Sequence, residues 1–165
     1  MKSRNTSMFI GVALLAIFGL PGVMKSKPAV GEKANADSGA RTLEGTWRVN
    51  VTVRDCVSGG ILRTFPALLT FAQGGTLTET TAGFPPAVRT PGHGFWRHTG
   101  DHSYAAVSEA FLFNGGTWTA TQRLTQSIEI GDNPDELTST ATGEIIDTSG
   151  NVTSTCATAV ATRLE

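Results

Sequence analysis

Apolar and polar positions alternate most clearly over residues 45–54. Trp47, Val49, Val51 and Val53 fall on one side, and Arg48, Asn50, Thr52 and Arg54 on the other. A period of two is that of a β-strand with one buried face. Trp47 is therefore expected to point inward and Cys56, in phase with the polar set, outward. Beyond this strand the chain is punctuated at regular intervals by turns such as Ser58-Gly59-Gly60, Gln73-Gly74-Gly75, Asn114-Gly115-Gly116 and Ser149-Gly150-Asn151. The runs between them predict strands over 45–56, 61–73, 76–81, 94–99, 103–113, 117–130, 136–146 and 152–164. No run has a helical period. Evenly spaced short strands predict an all-β, antiparallel up-and-down barrel, and about eight strands is the size that can hold one small ligand.

Upstream of the barrel the pattern changes. Lys2 and Arg4 precede an almost wholly apolar run, Met8 to Leu20, which Pro21 and Gly22 end. The run is short for a membrane span and has the form of a secretory signal. Small residues allow cleavage after Gly31 or after Ala36. Residues 1–36 are read as signal and linker, 37–44 as a short arm and 45–165 as the barrel domain, secreted or periplasmic.

The two cysteines test whether the sheet closes. If the last strand pairs antiparallel with the first, the numbers of opposed residues have a constant sum. That sum is 210 if Trp47 faces Arg163 and 212 if Cys56 faces Cys156, one two-residue step apart. Both contacts fit one register with a diagonal offset or a small bulge, and the parity puts both cysteines outside. In an exported chain a Cys56–Cys156 disulfide is expected. It would close a loop of about 100 residues, for which chain entropy gives roughly 4–5 kcal/mol as an upper figure.

Gly45-Thr46-Trp47 on the first strand, with Arg163 near the end of the last, resembles the signature of the calycin superfamily, which includes lipocalins, fatty-acid-binding proteins and avidins. The chain is also similar to short secreted lipocalin-like proteins of bacteria. The resemblance covers residues 45–165 and implies that Trp47 plugs one end of the barrel with the Arg163 guanidinium on its ring. Lipocalins usually place a helix after the last strand, and none is read here. The G-x-W pattern recurs at Gly94-Phe95-Trp96 and Gly116-Thr117-Trp118.

Charge narrows the partners. All four lysines lie before residue 37, and from Asp37 onward 8 Arg stand against 13 Asp plus Glu, a net of −5. An acidic, lysine-free domain is a poor match for nucleic acid or an anionic membrane surface, and no stable membrane insertion is expected once the leader is removed. The fifth strand is apolar on both faces, through Tyr104, Ala106, Ala110 and Leu112 and through Val107, Phe111 and Phe113. Its outer face needs a cover, either a second subunit packed on 103–113 or the linker.

Candidate cavity residues come from the inward parity. On the last strand these are Ala157 and Ala159, with Thr155 and Ala161. Small inward side chains leave space. On the sixth strand the face of Trp118 carries Gln122 and Gln126 among apolar residues, two amides that could orient a ligand. The alternative is that its threonine face points in. Trp96 and His98 are candidates on the fourth strand. Glu109, between Val107 and Phe111, becomes an acid–base group if that face is inward, or pairs with Arg97 or Arg123 if it is not. His93, His98 and His102 lie close in sequence near Asp101, but a zinc site needs three or four converging ligands, and no cofactor or metal is read. The loop from Ala82 to Gly94, with Phe84, Pro85, Pro86 and Pro91, is long enough to lie at the barrel mouth.

The expected function is binding of a small, mostly apolar molecule inside the barrel. The alternatives are an envelope module that binds protein, or an isomerase or cyclase that uses Glu109 or His98. No sequence motif of a hydrolase nucleophile, zinc protease or phosphate loop is present, so binding is favoured over catalysis.

Overall fold

A computed structural model of the chain describes residues 42–164. The expected signal, both cleavage sites and most of the arm lie outside the described residues. The rest is eight strands: β1 (Gly45–Arg54), β2 (Ile61–Phe71), β3 (Thr76–Thr81), β4 (Gly92–Gly100), β5 (Ser103–Asn114), β6 (Thr117–Ile130), β7 (Glu136–Asp147) and β8 (Val152–Arg163). Each pairs antiparallel with its neighbour in sequence, and β8 pairs with β1, so the sheet is a closed up-and-down barrel. Closure leaves no sheet edge.

The closing register is the one in which Trp47 faces Arg163; Arg54 then faces Cys156. Cys56 lies just past the end of β1 and reaches back to Cys156 as a disulfide, with Cα atoms 5.1 Å apart. What ends β1 at Arg54 rather than residue 56 is Asp55. Its carboxylate accepts from the backbone of Ser58 at 2.7 Å, the Ser58 hydroxyl at 2.8 Å and the backbone of Val57 at 3.1 Å. These bonds favour the ionised form and hold the carboxyl below the ordinary aspartate value. They also fold the chain back so that Cys56 meets β8.

Inward side chains divide the barrel into two halves. At the end where β1 begins and β8 finishes, the interior is filled by Leu43, Trp47, Phe71, Leu77, Tyr104, Ile128 and Leu137, all buried. Trp47 donates its indole N–H to Leu43 O at 2.9 Å, and the Arg163 guanidinium lies 4.2 Å from its ring centre. Arg163 also donates to Glu44 O at 2.5 Å, Thr42 O at 2.8 Å and Asp135 Oδ1 at 2.9 Å. That end is sealed. At the disulfide end the inward positions of β7 and β8 are small (Ala141, Gly143, Thr155, Ala157, Ala159) except Ile145, and the inward Val51 and Val53 are only half-buried because they face a space.

A bulge breaks the inward face of β6. Leu112 faces Ala120 but Phe113 faces Trp118, which leaves Thr119 as an extra residue. Ala120, Gln122, Leu124, Gln126 and Ile128 keep the inward phase. Trp118 is shifted to the outer face beside Phe113 and is 48% exposed. The outer face of β5 carries half-buried Val107 and exposed Phe111, next to exposed Phe95 of β4.

Candidate ligand cavity

The disulfide half of the barrel encloses a cavity of about 120 Å³. Its apolar wall comes from β1, β2, β7 and β8, chiefly Val49, Val51, Ala67, Leu69, Ala141, Ala157 and Ala159. Its polar wall comes from β3, the loop after it and β6: Glu79, Arg89, Gln122 and Gln126. The cavity reaches the surface at Arg63, whose guanidinium lies 5.0 Å from the ring centre of Phe65 and 4.8 Å from that of Phe84.

The polar wall is built around a buried ion pair. Arg89 comes from the segment between β3 and β4, yet its side chain and that of Glu79 are only 3% and 4% exposed. Arg89 Nη2 donates to Glu79 Oε1, Nε donates to Gln122 Oε1 at 2.6 Å and Nη1 donates to Thr90 O at 3.0 Å. Gly92 makes the room for Glu79: a β-carbon there would collide with the Glu79 carboxylate. The segment is fixed to β5 rather than lying loose across the mouth. Arg89 bridges to Leu112, Thr90 N–H donates to Phe111 O at 3.1 Å and Phe113 N–H donates to Val88 O at 2.8 Å. It completes the wall where β4 has not yet begun.

Four of the sequence-based candidates line this cavity: Gln122, Gln126, Ala157 and Ala159. Four do not. Trp96 is inward but belongs to the sealed half, where it donates to Ala72 O at 3.1 Å and packs edge-on against Phe71 and Tyr104. His98 lies past that end, its ring tilted at 60° to that of Tyr104 with centres 5.0 Å apart and its Nε2 2.8 Å from Asp101 O. Trp118 is outside because of the bulge. Glu109 is outside because odd positions of β5 face solvent; it pairs with Arg123 at 2.6 Å, both about half exposed. Neither Glu109 nor His98, the two residues named for the catalytic alternative, therefore lines this cavity. Among the described residues no three His, Cys, Asp or Glu side chains gather to hold a metal ion.

Glu79 and Arg89 were not among the candidates. Glu79 had a signal, because Leu77 and Glu79 alternate in phase and a carboxylate sharing a face with leucine asks for a buried partner. Arg89 had none, since a proline-rich loop has no period to assign a direction. Chemically the wall offers a neutralised ion pair and amides. Glu79 is held by Arg89, so it is a hydrogen-bonding surface rather than a free base.

No protein-family model matches the chain, and no curated protein matches it.

Proposed function

We propose that this protein is an extracytoplasmic binding barrel of calycin type that holds a small, mostly apolar molecule in the disulfide half of its interior. The observation that carries this reading is the cavity itself. A filled barrel would need no inward Ala141, Gly143, Ala157 and Ala159 in register around one space. The space is close to the roughly 150 Å³ that admits benzene in a protein core and smaller than the ~300 Å³ at which drug-sized sites begin. A long-chain lipid is thus a poor fit. The calycin assignment is supported by Gly45-Thr46-Trp47 and by Arg163 on the Trp47 ring. Export is supported by the disulfide, which suits a non-reducing compartment, and by the apolar run at Met8–Leu20.

Native mass spectrometry of the non-reduced protein, purified from its source, tests the reading. A mass excess that vanishes on denaturation, and that is lost in Ala157→Phe, is the expected result. A bare mass in both proteins overturns it. The same spectrum weighs a second reading, self-association through the outer face of β4–β6. There, exposed Phe95, Phe111 and Trp118 surround the exposed Glu109–Arg123 pair. A second copy turned by a two-fold axis can meet both its apolar and its charged positions.

A further inference from the structure

The cavity is two-sided, and the polar side is not saturated. Gln126 is 8% exposed as a residue, lines the cavity, and its side chain makes no hydrogen bond among the described residues. Its carboxamide is not sealed in the wall either: among the described residues the side-chain polar atom both sealed and unpartnered is Ser108 Oγ, which does not line the cavity. Gln126 therefore presents a donor and an acceptor to the space. Beside it Gln122 uses its oxygen to accept from Arg89, which leaves its NH₂ group to donate. A ligand that displaces water from this amide must replace the hydrogen bonds it loses, or forfeit affinity.

Charge selects further. Arg89 and Glu79 neutralise each other, so an anionic head would meet the Glu79 carboxylate and a cationic one the Arg89 guanidinium, each at the cost of the pair. We propose that the cavity takes a compact neutral molecule with a monocyclic-sized apolar body and one head that both donates and accepts, of the carboxamide or lactam kind. The body lies against Val51, Ala157 and Ala159, and the head against Gln126 and Gln122. This rests on the binding reading above and specifies its ligand class.

Three probes that share one aromatic ring and differ in its head separate the outcomes: benzamide, benzoate and benzene, titrated into the full oxidised protein at neutral pH and followed by amide NMR shifts. Benzamide is expected to bind at least ~10-fold tighter than either of the others, because a site built around buried amides rejects an analogue that leaves them unpaired. Gln126→Leu is expected to bring benzamide down to the level of benzene. Gln126→Met serves as a second variant if the first unfolds. Equal binding of benzene and benzamide to the native protein would overturn the head-group assignment but keep the cavity. Benzoate binding tightest would overturn it in favour of anion capture by Arg89. Binding of none of the three would overturn the binding reading itself.

Discussion

Gly45 sits at φ +126°, a region that favours glycine, and a β-carbon there would lie 2.7 Å from Arg163 Nη1. Two separate constraints therefore demand glycine two residues before Trp47, and they explain the motif physically: the guanidinium that stacks on the indole needs that space to reach the backbone carbonyls of Thr42 and Glu44. This end of the barrel was legible in the sequence because Trp47 and Arg163 both lie on strands whose parity is set by alternation. Tyr104 lies in the same sealed half and gives a direct test of its dryness. Burial pushes its phenol above the ordinary value of 10.0, against a hydrogen bond from the Leu43 backbone and the nearby Arg163 charge. It is the chain's one tyrosine, so absorbance of the tyrosinate reports it alone. The native midpoint is expected above 10.0 and the midpoint in concentrated guanidinium near it. Because the folded state holds this proton more tightly, its contribution to stability is complete below pH 10 and declines as pH rises through the higher folded value. A native midpoint at or under the denatured one would mean that water reaches the sealed end.

At the scale of elements, alternation gave the strands and largely the inward faces, and it failed where a local device broke the period. In β6 the extra residue Thr119 turned Trp118 outward, and no feature of Thr117-Trp118-Thr119-Ala120 marks a bulge in advance. In β4 the inward positions Gly92 and Gly94 have no side chains, so the strand's apolar pattern pointed to Trp96 and missed the vacancy that Glu79 fills. The segment between β3 and β4 was expected near the mouth, and it lies there as part of the wall. What holds it is the ladder to β5 together with the Arg89–Glu79 pair. Removing one partner of a buried pair leaves an uncompensated charge, at about 3–5 kcal/mol. Glu79→Leu and Arg89→Met should each destabilise by that order in urea unfolding, and the double variant by clearly less than their sum. Additive losses would mean that the two side chains stabilise the fold independently, and that Gln122 and Thr90 rather than Glu79 fix Arg89.

For the whole molecule the question is what keeps the barrel closed. The β1–β8 ladder already joins Trp47–Arg54 to Cys156–Arg163, and Arg163 ties the last strand to Thr42, Glu44 and Asp135. The disulfide sits at the other end of the same seam, with Cys156 between the cavity residues Thr155 and Ala157. Closure was legible from the residue numbers because ladder and bridge had to share one register, and the observed ladder has the Trp47–Arg163 sum with the bridge displaced by one step. A cross-link over 100 residues acts mostly by restricting the unfolded chain. Cys56→Ser/Cys156→Ser is therefore expected to remain a barrel with unchanged far-ultraviolet circular dichroism. It should lose about 2–4 kcal/mol in urea unfolding, less than the chain-entropy figure for so long a loop. Its m-value should rise, because the released denatured chain exposes more surface. The native state should change only at the mouth: hydrogen exchange should quicken at Val53, Arg54 and residues 153–157 and stay slow at Trp47 and Arg163. Loss of protection at both ends of the seam would mean that the ladder needs the bridge, and that the cavity forms only in the oxidised protein.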